Sequence, residues 1–545
     1  MFVPWRSKPL ELGNNLSAGI IVAFLIIPQA IGYGLLANVP ANIALAAATL
    51  PLIAYALFGG SRSMAVGPVA IVSLMVAEAT TDMSANEIAL SVPLLALMVG
   101  TILLTIRFLS LGKLVNFIGH PVIQGFTSAA AVLIIFKQLE LMLGLPSDVF
   151  NVNTWHLPSL LLSTLSLISL IIVKGFMPSP LNKLGPLMVL LAGMIIALNL
   201  PNLKIETIGY HATGDIFTLF SPWNQDTNAL SNTLLTLLPS AVIISVLVFL
   251  ESTSVAKVVA KKHDERISPN QELMGLGSAN IIAGFSGAFP VAGGFGRTMV
   301  NEEAGSTSPL AGVFTALFVL LFINFIPESI NYMMKPVLGA IIAMAVWSLI
   351  DLSPLYSHWK IHPQDNAIWL ASFLGVFILG VESGIMIGVG LSIAFLLRNA
   401  AHPHIAIIGR IPNTSHFRNV RRHKVETHPH VLAIRIDEGL TFANAENIED
   451  FIARAIFDHP KTRHLLLVFS AVNQIDSDGL ERLESIIRRQ KKEGILTHLA
   501  EVKGPIMDKL QHLHLEKLLA PGQIYMSTHE AFEALENQND NEHKS

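Results

Sequence analysis

Apolar residues dominate the first four hundred positions in long runs, then give way to short apolar stretches set among charges. Runs of spanning or near-spanning length fall at 16–36, 42–59, 87–106, 121–143, 158–178, 184–200, 232–252, 308–326, 337–350, 366–381 and 383–397. A helix needs about 20 mostly apolar residues to cross the hydrocarbon of a bilayer, so these eleven predict a polytopic α-helical membrane protein. Three shorter apolar pieces, at 64–79, 271–288 and 289–301, are interrupted by Gly and Pro, and counting each as a membrane element gives fourteen segments.

The pattern changes beyond that. Strand-like runs at 431–436 and 465–469 alternate with amphipathic helical ones. Within 479–492, Leu480, Leu483 and Ile487 share one face, and Glu481, Arg482, Glu484, Arg488, Arg489 and Lys491 lie mostly opposite. This predicts a small α/β domain. The expected organisation is a membrane domain at 1–400, a basic, His-rich linker at 401–428, the α/β domain at 429–535 and a disordered polar tail at 536–545.

Charge sharpens the division. Residues 1–397 hold 16 Lys+Arg and 19 Asp+Glu, whereas the remaining 148 residues hold 19 and 20, so charge density roughly triples near Arg398. The formal net charge of -4 carries no basic excess, which argues against a nucleic-acid partner. With no cysteine, disulfides, thiolate metal sites and a Cys nucleophile are excluded. The histidines at 402, 404, 416, 423, 428 and 430 lack helical i, i+4 spacing backed by a carboxylate, so no metal is expected there. No cofactor motif, nucleophile elbow or phosphate loop is present, which argues against an enzyme. The apolar stretch after Met1–Leu12 is not closed by a small-residue cleavage site, so no removable signal peptide is expected.

Lys and Arg are retained on the cytoplasmic side of a membrane protein. With fourteen segments, Arg6, Lys8, Arg62, Arg107, Lys113, Lys174, Lys183, Lys257, Lys261, Lys262, Arg266 and Lys360 fall inside, and only Lys204 and Lys335 fall outside. Both termini are therefore predicted to be cytoplasmic, with the protein in the cytoplasmic (inner) membrane.

The interrupted pieces form a pair. Residues 59–70 contain Gly59, Gly60, Gly67 and Pro68; residues 286–298 contain Gly287, Pro290, Gly293, Gly294 and Gly296. Each is third in a set of seven segments, and an odd count inverts the second set relative to the first. Irregular backbone at membrane depth survives only where it is buried in protein or lines a cavity. Helices starting after Pro68 and after Gly294 would aim their free N–H groups and positive dipole ends at one point, which suits an anion. The alternative is that these glycines only permit close helix packing.

Two charges stand nearby. Arg297 follows the second break, where an unpaired cation costs at least ~2.5 to 3.5 kcal/mol. Glu251 closes the apolar run 241–250, ahead of Ser252, Thr253 and Ser254. It is a candidate proton carrier, expected to pair with Arg297 until a dianion competes for the guanidinium. Gln29, beside Pro28, could donate hydrogen bonds to an anion. Glu78, Lys137 and Glu140 are expected to reach toward the headgroups.

Three stretches resemble the sulfate permease (SulP) family of anion transporters: 28–40, from Pro28-Gln29-Ala30-Ile31-Gly32-Tyr33 to Pro40; 55–62, leading into Ala65-Val66-Gly67-Pro68; and 295–301, leading to Ala304-Gly305. The resemblance implies fourteen segments in a seven-plus-seven inverted repeat, divided into core and gate domains, with a homodimer as the assembly. By position, Gln29, Tyr33, Val69, Ala70, Phe295, Gly296 and Arg297 would line the anion site, and Glu251 matches the carboxylate linked to proton coupling. Gly296 stands where serine is frequent. The run 472–480, containing Ile475-Asp476-Ser477-Asp478-Gly479, resembles the STAS domain of the same transporters. There Ser477 is the candidate regulatory residue or a helix cap, and the domain is a possible docking site for a cytoplasmic protein. The resulting expectation is proton-coupled sulfate uptake by alternating access, elevator-like in kind. Bicarbonate or a small dicarboxylate as substrate, and a membrane-anchored STAS scaffold or sensor, remain open alternatives.

Overall fold

A computed structural model of the chain describes residues 9–110, 112, 119–144, 155–178, 184–208, 227–325, 327–356, 359, 361–512 and 514–542. Arg6, Lys8, Lys113, Lys183 and Lys360, used above to orient the chain, lie outside the described residues. The chain divides into two compact units, 1–392 and 393–545.

In the first unit, the first set of elements comprises α1 (Pro9–Leu36), α2 (Ala41–Ala46), α3 (Leu50–Phe58), strand β1 (Val66–Gly67), α4 (Ala70–Ala79), α5 (Ala85–Phe108), α6 (His120–Leu143), α7 (Leu157–Phe176) and α8 (Gly185–Asn199). The second set comprises α9 (Thr227–Lys262), α10 (Pro269–Phe285), strand β2 (Ala292–Gly293), α11 (Phe295–Glu303), α12 (Leu310–Phe325), α13 (Lys335–Trp347), the short α14 (Ser353–Tyr356), α15 (Pro363–Leu379) and α16 (Val381–Ala401). Among the described residues, seven helical stretches are long and apolar enough to cross a bilayer, and α4, α8, α12 and α13 are shorter apolar helices. With α10, α11 and α15 they make fourteen segments, and a strand-plus-helix break is third in each set.

Two bundles result. α1–α5 pack with α9–α12, and α6–α8 pack with α13–α15. Small residues set the closest approaches in the first bundle: a Cβ added at Gly100 of α5 would lie 2.7 Å from the Ile281 amide nitrogen of α10. Glycines of the breaks share this packing role, since a Cβ added at Gly275 of α10 would lie 2.4 Å from the Cα of Gly59. Glu78 does not reach outward as expected. Its Oε1 accepts the Val381 N–H at 2.9 Å, just past Gly380 at φ 90°, and so satisfies the start of α16. Lys137 and Glu140 are exposed.

The second unit is a six-stranded sheet in the order β4-β3-β5-β6-β7-β8, formed by β3 (Ile405–Arg410), β4 (Phe417–Asn419), β5 (Val431–Ile436), β6 (His464–Val468), β7 (Leu496–Ala500) and β8 (Ile524–Tyr525). β5 to β8 run parallel, and β3 is antiparallel to β4 and β5. Helices α17 (Ala445–Asp458), α18 (Ser477–Lys492), α19 (Gly504–His512), α20 (Leu515–Leu519) and α21 (Thr528–Glu542) complete the unit. Separate apolar cores form, one with Ile448, Leu483 and Leu510 and one with Phe417 and Phe532. The near-continuous apolar runs of β5 and β6 follow from parallel strands covered on both faces.

Two boundaries differ from expectation. Residues 401–428 are not a linker, because β3 and β4 within them belong to the sheet and Ala406 and Ile408 are core residues. Their histidines serve local contacts, as where His404 Nδ1 meets Asp437 Oδ2 at 2.6 Å. The segment expected as a disordered tail is helical through Glu542, because α21 docks Ala531, Phe532 and Leu535 on the sheet.

One buried pair predicts an acid response. His498 of β7 is 2% exposed, lies 3.1 Å from His464 Nδ1 through its Nε2, and accepts the Gln523 N–H at its Nδ1. Burial, and then the neighbouring His464, hold its pKa down at about 4 against an ordinary 6.5. The unfolded chain therefore takes up this proton first. Stability is complete above pH 6.5 and falls by roughly 1.4 kcal/mol per unit as pH drops toward 4. Amide exchange of β6 and β7 in the full chain, corrected for intrinsic rates, is expected to accelerate between pH 7 and 5, and less so in a His498→Gln chain.

Candidate functional site

The two breaks meet. β1 pairs antiparallel with β2, Val66 opposite Gly293 and Gly67 opposite Ala292, so the third segments of the two sets run in opposite directions. Each strand feeds a helix N-terminus, α4 after Val69 and α11 after Gly294, and neither end has a side-chain cap. Their first N–H groups are thus left free, with the positive ends of two helices close together.

Surrounding side chains satisfy the irregular backbone. Gly293 N–H donates to Ser252 Oγ at 2.8 Å, and Ala65 N–H donates to Thr298 Oγ1 at 3.1 Å. Asn280 makes two bonds with Val291, donating from Nδ2 to its carbonyl at 3.0 Å and accepting its N–H at 2.9 Å. Asn301 Nδ2 donates to Ser63 O at 2.8 Å. The approach to β1 is held by Glu272, 0% exposed, which accepts from Tyr55 OH at 2.8 Å and from Gly60 N–H at 3.2 Å.

A cavity of about 420 Å³ opens against this clasp, between the two bundles. From the first bundle it is lined by Gln29 and Tyr33 of α1, Val69 and Ala70 at the start of α4, and Glu251 of α9. Phe295, Gly296 and Arg297 of α11 complete that wall, so the seven residues expected to line the anion site and Glu251 all reach one cavity. The facing wall is apolar, with Leu170, Ile341 and Met344.

Arg297 is 3% exposed. Its Nη1 donates to Pro68 O at 2.6 Å and to Gln29 Oε1 at 3.3 Å, while Nε and Nη2 are buried without partners. Gly294 makes room for it: a Cβ there would stand 2.9 Å from Nη2. The ion pair expected between Arg297 and Glu251 is not formed; among the described residues no carboxylate oxygen lies within 4.0 Å of the guanidinium. The reason is local, because the guanidinium is drawn to the Pro68 carbonyl just past β1. Glu251 is half-buried on the cavity wall, with Oε2 unpartnered, and its charge still acts on that of Arg297. A guanidinium between two helix N-termini, with no carboxylate in contact, is a strongly positive pocket at membrane depth.

Ser477 lies in the other unit. It is the first residue of α18 and not its cap; that role falls to Asp476, whose carboxylate accepts the N–H groups of Gly479 at 2.8 Å and Phe442 at 2.9 Å. Burial acts to raise the Asp476 carboxyl, but the backbone donors outweigh it and hold it below the ordinary aspartate value.

Residues 12–372 match the model of the sulfate permease family. The chain belongs to the sulfate permease family. Residues 422–531 of this permease-family chain match the STAS domain. It is 32% identical to "Probable sulfate transporter 4.2" of Arabidopsis thaliana over 95% of its own length and 80% of that protein's. Its fold is similar to the structure of SLC26A9, with a TM-score of 0.89 at 20% identity, covering 99% of this chain and 92% of that one. It is also similar to the transmembrane domain of the cyanobacterial bicarbonate transporter BicA, with a TM-score of 0.59 at 22% identity, covering 71% and 98%. Family membership makes this permease an anion transporter and not an enzyme.

Sequence reasoning missed Ser252, Asn280, Thr298, Asn301 and the Glu272–Tyr55 pair, which position the breaks. A usable signal existed for Glu272 alone, an intramembrane carboxylate in a glycine-rich helix.

Proposed function

We propose that the protein is a proton-coupled sulfate transporter of the cytoplasmic membrane, with both termini inside and a homodimer as its assembly. The observation that carries this reading is the Arg297 guanidinium, buried between the N-termini of α4 and α11 with no carboxylate in contact. A dianion there gains two helix ends and a guanidinium together, which favours sulfate over a monoanion. Gln29, Tyr33, Phe295 and Gly296 surround the anion, and the free N–H groups of the first turn of α4, from Ala70 onward, face it. Glu251 carries the proton on the same cavity wall, so that the proton and the anion cross together. The cavity lies between two bundles, which suits alternating access in which the core bundle moves against the gate.

The test is uptake of labelled sulfate into proteoliposomes, with and without an inward proton gradient and with bicarbonate or small dicarboxylates as competitors. Wild-type uptake is expected to follow the gradient. Glu251→Gln is expected to remove that dependence and lower uphill accumulation at least about tenfold, leaving exchange of internal for external sulfate measurable. Gradient-driven uptake persisting in Glu251→Gln refutes the coupling role, and competition by bicarbonate alone moves the substrate assignment to bicarbonate.

A further inference from the structure

We propose that Lys174 is a second cation of the transport pathway, held on the gate bundle to receive the anion at the rim of the cavity before Arg297 takes it. The inference rests on the anion-transport reading above and adds a residue and a sidedness to it. Among the described residues lining the cavity, Arg297 and Lys174 are the cations and Glu251 is the carboxylate. The two cations differ in setting. Arg297 is 3% exposed and locked to Pro68 and Gln29, whereas Lys174 is exposed in the last turn of α7. Lys174 and Ser348 are the exposed polar side chains that the second bundle contributes to this cavity, whose lining on that side is otherwise apolar, with Leu170, Ile341 and Met344. Apolar walls of low dielectric concentrate the field of a charge along the path they enclose. A compact ammonium on a flexible stem suits capture and release, whereas the planar guanidinium behind it suits a fixed seat.

The competing account is that Lys174 only offsets the negative C-terminal end of its own helix. That account predicts a change in stability and no change in apparent affinity. The placement of the two residues separates the accounts. Lys174 belongs to α7 of the gate bundle and Arg297 to α11 of the core bundle. When the core moves against the gate, Lys174 stays behind, so its contribution to affinity exists only while the cavity opens past α7.

The experiment uses the full chain in proteoliposomes of one orientation, with labelled sulfate as the probe and initial rates measured from each face. Lys174→Gln is expected to raise KM roughly three- to tenfold from one face, with little change from the other and a smaller change in maximal rate. The effect is expected to shrink at high ionic strength, and Lys174→Arg to restore most of it. Lys137→Gln, which removes an exposed charge away from the cavity, serves as the control. An unchanged KM in Lys174→Gln overturns the proposal, as does an equal rise from both faces. A wild-type chain that moves no sulfate from either face overturns the sulfate reading and this proposal with it, whereas normal wild-type transport with insensitive Lys174→Gln overturns only the capture role.

Discussion

Arg297→Gln is expected to lose sulfate transport by at least about 100-fold while gaining stability in the absence of anion. The loss follows from removing a desolvated charge partner of the anion, which costs roughly 3 kcal/mol or more. The gain follows because the buried guanidinium carries two nitrogens without partners, and a cation in that state is a burden at membrane depth. The two signs separate a lost binding group from a misfolded protein. In detergent, the thermal midpoint of the wild type is expected to rise with added sulfate by mass action, while that of Arg297→Gln starts higher and does not respond. A variant with a lower midpoint and an intact sulfate response contradicts the site as described. Arg297→Lys keeps the charge but not the fork, and is expected to fall between the two.

Glu272→Ala is expected to give the largest loss of stability among single substitutions near the breaks. Glu272 is fully buried and accepts from the buried Tyr55 OH and from the N–H of exposed Gly60, so its truncation strands one buried donor and leaves a void between α10 and α3. Stranding one buried polar group costs about 1–3 kcal/mol and the void adds to it, which puts the expected loss near 3 kcal/mol. Thermal unfolding in detergent measures it, and Glu272→Gln, which keeps an acceptor, is expected to recover most of the loss. Transport by Glu272→Ala is expected to fall with the folded fraction, without the selective loss of sulfate response seen at Arg297.

How much of this was legible in the sequence depends on how a feature is encoded. The breaks were visible because Gly67, Pro68, Gly293 and Gly294 interrupt apolar runs that otherwise proceed at spanning length, and Arg297 stood out because charge is rare there. The pairing of Val66 with Gly293 was not visible, since a two-residue ladder is too short to show periodicity. Ser252 and Thr298 read as ordinary small residues of apolar helices, and only the fold shows that their oxygens replace missing strand partners. The expected Arg297–Glu251 contact assumed that opposite charges in one pocket touch, whereas a backbone carbonyl reached the guanidinium first. In the second unit, β3 alternates Ile405, Ile407 and the core residues Ala406 and Ile408 only over six positions, and the histidines and arginines around it hid that strand behind a hydrophilic average. Asp476 is the cap because the helix begins one residue later, at Ser477, and its carboxylate accepts from both Gly479 and Phe442.

The small antiparallel ladder between β1 and β2 has a mechanical corollary. Because one strand comes from each repeat, the two positive helix ends are stitched into a single block, and prying them apart would expose bare peptide groups where no water can relieve them. Jaws cannot open along such a seam. On the proposed alternating-access reading, cargo is admitted and let go along the apolar boundary with the other bundle, so substitutions that roughen or smooth Leu170, Ile341 and Met344 are expected to set the pace of turnover without touching what is carried.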